Sequence, residues 1–596
     1  MKMIRSISHD FSSLFYMARH FYEHGKIYFV VHFFIGLIVS PLSTVLNIYM
    51  QKIIIDRISD GEVWLSIFIL ILVFHIVYLC INLIEELFYI HSAPLHDQVV
   101  EKLDKMVFQK AISSDLENFN KPRYLDDYTW TIDNFSGQSD NAKCLLLDFF
   151  SHIVSVTAII AIIISLDYLV LVFVLAHIIT SFFIKRFRIG HNYNLNVDLL
   201  KTTRVFNYIK RIFYDPQNSI ELKSNRSSKL LLNKYDETII DRKKVRKKYA
   251  AIFSFFSSLN AINVVVFNFV LVSFLVYRIV NGDLSIGSFV ALTSSSLILS
   301  NILGNIMGIF NQVHELKLFA DKVKNFMTAK SNIESNSNKS NAKTISSNPF
   351  SIKLNNVEFR YEAHKKCLYN INMTIKKGER IAIVGENGAG KSTLVKLLMR
   401  LYDVNDGEIL INDMPINTFD VKEFRSKIGV IYQKPFIFAL SLMDNMQLYK
   451  KSNEGSIIKA LNDVGLNQML IENEKMLESD MSKEFSEDGI VLSGGNEQKL
   501  CIARLLIGGF NLLIFDEPSS SLDPLIEYEL NELIYKYGEG STIIMISHRL
   551  SNVRNADRIF VMDSGTISES GTHDELMILN RKYSEMFKKQ ASGYTD

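Results

Sequence analysis

The feature that most constrains this chain is an apolar segment of 40 residues, 145–184, which carries Asp167 near its middle. A single helix of that length would be about 60 Å long, twice the roughly 30 Å apolar thickness of a bilayer. The segment must therefore fold back on itself. Asp167-Tyr168 is the natural turning point, and the two halves, 145–166 and 168–184, are predicted to be two membrane spans.

Four more segments reach the length of about 20 residues that a helix needs to cross a bilayer. They cover about 27–50, 64–84, 251–277 and 284–310. The last two are separated by the turn-forming sequence Asn281-Gly282-Asp283. Residues 1–330 are thus predicted to form a helical membrane domain with six spans, because buried helices of a soluble protein would not all be this long.

The distribution of positive charge predicts the orientation of these spans. Residues 185–250 carry 17 Lys or Arg, whereas the three candidate outer loops carry only Lys52, Arg57 and Arg278. Loops rich in Lys and Arg stay in the cytosol. Both termini are therefore predicted to be cytosolic.

Composition excludes several other classes of protein. The chain has 65 basic and 63 acidic residues, a net charge of +2, which gives no support to nucleic-acid binding. Its four cysteines lack CxxC spacing, which argues against a zinc knuckle or a secreted disulfide scaffold.

Residues 331–349 contain six Ser and five Asn and are predicted to be a linker. Residues 350–596 alternate β-branched runs with helical stretches, which is typical of a soluble α/β domain.

A phosphate-binding loop is the first chemical motif of this α/β domain. It follows the predicted strand 380–384 and fits GxxxxGK[ST] with the residues Gly385, Glu386, Asn387, Gly388, Ala389, Gly390, Lys391 and Ser392. The glycines let backbone N–H groups converge on phosphate oxygens at a helix N-terminus, where Thr393 follows. Lys391 is suited to the β- and γ-phosphates and Ser392 to Mg²⁺. The loop predicts binding of a nucleoside triphosphate.

Two carboxylates end a second buried strand, Leu512-Leu513-Ile514-Phe515-Asp516-Glu517. Parallel sheets bind ligands at the carboxyl ends of their strands. Asp516 is suited to hold the hydration shell of Mg²⁺, and Glu517 to polarise an attacking water.

A third motif, Leu492-Ser493-Gly494-Gly495-Asn496, lies between the phosphate loop and the acidic strand. It resembles the signature motif of the ATP-binding cassette (ABC) family. Six spans fused N-terminally to one such cassette resemble a half-size ABC exporter, similar to bacterial antimicrobial-peptide and multidrug exporters. The resemblance is strong over 350–596 and extends to 1–330 only in layout.

Further marks of the family follow in order along the chain. Tyr361 resembles the aromatic residue that stacks on adenine, and Gln433 the Mg²⁺-touching glutamine of the Q-loop. Ser521-Leu522-Asp523 resembles the D-loop, and His548 the switch histidine. The resemblance thus implies Lys391, Gln433, Glu517 and His548 as catalytic residues, and Ser392, Gln433 and Asp516 around Mg²⁺.

The resemblance also implies a dimer. In this family ATP lies between two cassettes, and Ser493, Gly494 and Gly495 of one cassette cover the phosphate loop of the other. One chain supplies one phosphate loop and one signature, which implies a homodimer. The resemblance also implies a location in a bacterial cytoplasmic membrane, in contact with membrane lipid. The chain departs from the family pattern in three places. Asn496 replaces the usual Gln of the signature, the stretch after it reads Glu497-Gln498-Lys499-Leu500 instead of an arginine-rich run, and Ser486 stands where glycine is common. Because Asn keeps the amide and loses one methylene, we expect function to survive the change in the signature.

The transported substrate is the least constrained expectation. The layout favours export of a peptide, such as a modified antimicrobial peptide, by alternating access. Export of lipids or lipid-linked saccharides and export of drugs are open alternatives. A regulatory ATPase without transport is a more remote one, because all the catalytic residues are present.

Overall fold

The computed structural model describes residues 2–215, 218–333, 345, 349–361, 366–466, 476–518 and 524–592. The chain forms two compact units. The first comprises residues 1–112 and 126–328, and the second comprises residues 113–125 and 329–596.

The described residues of the first unit form helices and the short connections between them, with no strand among them. Its helices are α1 (Lys2–His24), α2 (Lys26–Ser59), α3 (Trp64–Ile112), α5 (Pro122–Asp167), α6 (Val170–Tyr214), α7 (Ser219–Ser224), α8 (Ser227–Val280) and α9 (Ile286–Thr328). Among the described residues, six of these helices are long and apolar enough to cross a membrane, namely α2, α3, α5, α6, α8 and α9. They extend well beyond the apolar segments, and α8 alone has 54 residues.

Charged residues hold the short connections between these helices. Asp167, the last residue of α5, accepts a hydrogen bond from the backbone N–H of Leu169 (3.0 Å) and pairs with Arg278 of α8 (3.1 Å). Arg278 also pairs with Asp283, in the connection between α8 and α9 (2.9 Å). The chain therefore reverses immediately after Asp167, where a carboxylate satisfies the first free N–H group of the turn.

The second unit contains two sheets. Their strands are β1 (Ile352–Arg360), β2 (Lys366–Ile375), β3 (Arg380–Gly385), β4 (Asp406–Ile411), β5 (Met414–Pro415), β6 (Ile428–Ile431), β7 (Leu512–Asp516), β8 (Thr542–Ile546), β9 (Arg558–Asp563) and β10 (Thr566–Gly571). The smaller sheet has the order β2-β1-β4-β5 and is antiparallel. The larger sheet has the order β10-β9-β3-β8-β7-β6, with only β10 antiparallel to its neighbour.

Helices cover this α/β unit, as its mostly parallel sheet requires. They are α10 (Lys391–Leu398), α11 (Val421–Ser426), α12 (Leu442–Met446), α13 (Glu454–Asp463), α14 (Gly494–Gly508), α15 (Pro524–Tyr537), α16 (His573–Leu579) and α17 (Lys582–Ser592), with the short α4 (Leu116–Phe119) in the segment 113–125. Strand β8 is buried at every position, and β3 and β7 at nearly every position. The fold class predicted from the sequence, a six-helix membrane-type domain followed by an α/β P-loop ATPase domain, is confirmed.

The sheet order decides where the chemical motifs lie. Strands β3 and β7 flank β8 and run parallel to it, so their carboxyl ends meet at one edge of the sheet. The phosphate loop follows β3 and Glu517 follows β7. Residues 131 positions apart in the sequence, Glu386 and Glu517, are thereby brought to the same edge.

Candidate functional site

The phosphate loop connects β3 to α10 through three glycines whose backbone other residues rarely adopt. Gly385, Gly388 and Gly390 have φ angles of +151°, +83° and +103°. A Cβ on Gly390 would also lie 2.7 Å from Leu368, whereas one on Gly388 would meet nothing within 4 Å. Gly388 is therefore required for its backbone angle and Gly390 for both its angle and its packing. The resulting loop opens a helix N-terminus, which favours an anion.

Lys391 is the cation of this loop and is only 6% exposed. Its Nζ donates to the carbonyl oxygens of Gly385 (2.8 Å) and Glu386 (3.1 Å). Burial lowers the pKa of Lys391, while the charges of Glu517 and Asp516 oppose that shift. The ammonium of Lys391 is thus held by the backbone of the phosphate loop, and the charges of Glu517 and Asp516 act on it.

The side-chain oxygens of Asp516 and Ser392 lie close together next to the phosphate loop. Burial raises the pKa of Asp516, the charge of Glu517 raises it further, and a hydrogen bond with the Ser392 side chain opposes the shift. A half-buried carboxylate beside a hydroxyl fits a hard divalent cation, because Mg²⁺ prefers oxygen ligands and would stabilise the ionised carboxylate. These residues therefore suit the Mg²⁺ that accompanies a nucleoside triphosphate.

The carboxylate of Glu517 contacts the side chains of Gln433 and His548. Its Oε2 accepts a hydrogen bond from Nε2 of Gln433 (2.7 Å) and lies 3.5 Å from Nδ1 of His548. The residue adopts the left-handed backbone conformation (φ +52°), and its N–H donates to the carbonyl of Ile546 on β8 (3.0 Å). Because this conformation is unfavourable for a side chain with a Cβ, the backbone bond to β8 helps to hold it. The carboxylate is thereby fixed between an amide and an imidazole.

Tyr361 lies beside the first turn of α10. Its hydroxyl is 3.4 Å from Oγ1 of Thr393, and the ammonium of Lys396 lies 5.7 Å from the centre of its ring. Phe359 and Tyr402 contact the ring edge-on, with centroid distances of 4.9 and 5.3 Å. The structure therefore places the predicted adenine-stacking residue next to the phosphate loop, in an aromatic cluster.

The signature residues occupy the start of α14. Ser493 caps this helix, and its Oγ accepts a hydrogen bond from the N–H of Asn496 (3.4 Å). Gly494 and Gly495 form the first turn, and a Cβ on Gly494 would meet nothing within 4 Å. The D-loop residues Ser521, Leu522 and Asp523 lie outside the described residues.

One contact that the sequence did not predict joins α14 to the segment after Gln433. Arg504 is 4% exposed and donates to the carbonyl of Phe436 (2.8 Å) and to the amide oxygen of Asn445. Asn445 in turn donates to the carbonyls of Phe438 (3.0 Å) and Leu440 (3.1 Å). The two buried side chains hold the chain that follows Gln433, and no motif marks either of them.

A second contact of this kind involves segment 113–125, which belongs to the α/β unit although it connects α3 to α5. Nδ2 of Asn120 donates to the hydroxyl of Tyr402 (2.8 Å), and Asn118 donates to the carbonyl of Lys330 (3.1 Å). Together with Tyr361 and Lys396, this segment lines a cavity of about 1180 Å³. A stretch between two membrane-type helices therefore borders the aromatic cluster of the nucleotide site.

This edge of the sheet brings together a phosphate loop, the half-buried carboxylate of Asp516, which suits Mg²⁺, and the carboxylate of Glu517, which contacts Gln433 and His548. The combination defines a P-loop ATPase. The ABC transporter family profile matches residues 368–520, and the chain thus contains an ABC transporter ATP-binding domain.

Curated relatives are similar over part of their length. The mitochondrial iron-sulfur clusters transporter ATM1 of Candida glabrata is 31% identical over 60% of this chain and 49% of its own. The putative multidrug export ATP-binding/permease protein YgaD of Bacillus subtilis is 31% identical over 53% of each chain. The ATP-dependent lipid A-core flippase of Alcanivorax borkumensis is 34% identical over 40% of each. The matches thus span about half the length of these relatives or less.

A solved structure shows the same fold over nearly the whole chain. It is a bacterial Atm1-family ABC exporter with ATP bound, which superimposes with a TM-score of 0.80 over 94% of this chain and 98% of its own, at 21% sequence identity. The fold of this chain is therefore that of an ABC exporter with a fused membrane domain.

Proposed function

We propose that this chain is the subunit of an ATP-driven exporter that works as a homodimer in the bacterial cytoplasmic membrane. The observation that carries the proposal is the Glu517 carboxylate, held by Gln433 (2.7 Å) and His548 (3.5 Å) at the edge of the sheet where the phosphate loop lies. A carboxylate fixed in this position suits the general base that activates water beside a γ-phosphate.

In this proposal the phosphate loop and the N-terminus of α10 bind the phosphates of ATP, and Tyr361 stacks on its adenine. Lys391 exchanges its backbone carbonyl partners for β- and γ-phosphate oxygens. Asp516, Ser392 and Gln433 would hold Mg²⁺, which would neutralise phosphate charge. Glu517 accepts the proton of the attacking water, and His548 and Gln433 keep its carboxylate oriented.

Two copies complete two identical sites. Ser493, Gly494 and Gly495 at the exposed start of α14 cover the phosphate loop of the second copy, and the D-loop residue Asp523 lies at the same junction. The membrane spans are 27–50, 64–84, 145–166, 168–184, 251–277 and 284–310, and both termini are cytosolic. Residues 331–349 link the membrane domain to the cassette at 350–596.

The segment 113–125 transmits the state of the cassette. Its contacts with the rest of the α/β unit include the Asn120–Tyr402 hydrogen bond, and Tyr402 packs against Tyr361. A change at the adenine position thus reaches this segment through two side chains. Closure of the cassettes on ATP and their release on hydrolysis then alternate the access of the membrane cavity.

The favoured substrate is a peptide, including modified antimicrobial peptides, and the runners-up are lipids or lipid-linked saccharides and drugs. The relatives include a lipid A-core flippase and a putative multidrug export protein, so the similarity to these proteins does not choose among the three substrate classes.

ATPase measurements on purified protein in nanodiscs test the proposal. Basal hydrolysis that depends on Mg²⁺ and is stimulated by members of a panel of peptides, lipids and drugs is expected. Hydrolysis without stimulation by any class, combined with no ATP-dependent uptake into inverted vesicles, would contradict an exporter and favour a regulatory ATPase.

A further inference from the structure

A partly buried lysine faces the interior of the helical unit. Lys185 lies on α6, immediately after the apolar segment 168–184. A Cβ on Gly304 of α9 would lie 2.8 Å from the Lys185 Nζ, so the ammonium lies over α9 at a position without a side chain. Within the described ranges, no carboxylate forms an ion pair with Lys185, and the charged group that acts on it is Arg188.

Polar side chains next to Lys185 already have partners of their own. His177, two turns earlier on α6, is hydrogen-bonded through Nε2 to Ser300 of α9 (2.9 Å) and through Nδ1 to Asn263 of α8 (3.1 Å). Asn263 also donates to the hydroxyl of Ser181 (2.9 Å). These residues form a connected polar cluster inside apolar helices, and none of them supplies the negative charge that would balance Lys185.

A small cavity separates α6 from α9 at this point. Its volume is about 90 Å³, and it is lined by the polar residues His177, Ser181, Lys185 and Ser300, by Gly304, and otherwise by apolar side chains. This is room for about three waters at roughly 30 Å³ each, or for one carboxylate or phosphate group. Arg188, one turn further along α6, adds a second cation and raises the positive potential.

We infer that this cavity binds the anionic group, a carboxylate or a phosphate, of an amphipathic transported molecule, an assignment that rests on the proposed export function. Lys185 is the first residue after the span 168–184, at the edge of the membrane, where a partly buried charge is costly unless it faces a cavity or a partner. A lysine that only anchored the helix end would extend toward lipid headgroups, whereas Lys185 lies against Gly304 inside the unit. Lys185 supplies the charge, and the apolar walls contact the rest of the molecule.

Paired probes test the assignment in nanodiscs of phosphatidylcholine, which carry no net lipid charge. Tritiated N-dodecanoyl-glutamate and dodecyl phosphate each carry one type of anion on the same apolar tail, and N-dodecanoyl-glutamine amide and dodecanol are their neutral counterparts. Equilibrium binding is measured for the wild type, Lys185→Gln, Lys185→Arg and Arg186→Gln. The last variant removes the same charge from an adjacent, exposed position on α6.

The wild type is expected to prefer at least one anionic probe over its neutral counterpart by about tenfold or more, the scale of a hydrogen bond to a charged group. Lys185→Gln should abolish that preference, and Lys185→Arg and Arg186→Gln should keep it. Preference for the phosphate alone identifies a lipid-type headgroup, and preference for the carboxylate alone identifies a peptide-type group.

Equal binding of charged and neutral probes by the wild type, or a preference that survives Lys185→Gln, overturns the assignment. ATPase activity of the same samples is measured in parallel. Absence of hydrolysis would defeat the proposed function, and the binding comparison would still decide whether the anion site exists.

Discussion

The side-chain amide of Asn120 donates a 2.8 Å hydrogen bond to the hydroxyl of Tyr402, across 282 positions of sequence. Asn120 lies between two long helices of the membrane-type unit, and Tyr402 contacts the ring of Tyr361 edge-on. This bond is a direct physical route from the predicted adenine position to a segment that continues into membrane-type helices.

Removing the hydroxyl of Tyr402 should weaken the coupling between substrate binding and ATP hydrolysis. Tyr402→Phe keeps the ring and its packing and loses one hydrogen bond worth about 1 kcal/mol, so the ratio of substrate-stimulated to basal ATPase activity should fall roughly fivefold. Tyr369→Phe, at a partly exposed tyrosine of the same unit, is the matched control. An unchanged ratio in Tyr402→Phe would show that the bond carries no coupling.

Tyr361 is predicted to bind adenine through its ring face. Tyr361→Ala should weaken ATP binding by about 1–3 kcal/mol, the typical contribution of a stack between a base and an aromatic side chain. Tyr361→Phe retains the ring and should bind ATP nearly as well as the wild type, as measured by nucleotide titration. Equal damage by Phe and Ala would rule out stacking and point to the hydroxyl near Thr393.

Complementation between two damaged chains tests the shared sites. Lys391→Ala disables the phosphate loop, and Ser493→Arg disables the signature at the start of α14. If the signature acts on the partner chain, a doubly tagged heterodimer of the two variants keeps one intact site and hydrolyses ATP, whereas each homodimer is inactive. An inactive heterodimer, with both variants folded by thermal unfolding, would mean that the signature acts within its own chain.

The orientation of the membrane domain can be measured by labelling single cysteines in intact cells, on a background without the four native cysteines. Asp60→Cys and Asp283→Cys should react with an impermeant maleimide from outside. Leu230→Cys, within the strongly basic segment 185–250, should react only after permeabilisation. External labelling of Leu230→Cys would overturn the orientation.

The sequence predicts some parts of this molecule much better than others. Lys391 and Glu517 belong to short motifs that directly follow a strand. Their roles can therefore be predicted from a few neighbouring residues of the sequence. Asn120 and Tyr402 belong to no motif, and their contact depends on how segment 113–125 folds against the cassette. Gly304 is informative only because α9 places it opposite Lys185. The helices also extend far past their apolar segments. Apolar residues locate the spans in the sequence, but they do not predict the polar ends that continue each helix.

The most direct test of the central claim is ATP turnover by Glu517→Gln in nanodiscs, compared with the wild type. The amide keeps the size of the side chain and a partner for Gln433 but cannot accept a proton from water. ATPase activity should fall by a factor of about 100 or more, the scale of losing a general base, while ATP still binds and holds the two cassettes closed. Turnover close to that of the wild type would contradict the assignment of Glu517 and, with it, the proposed ATPase mechanism.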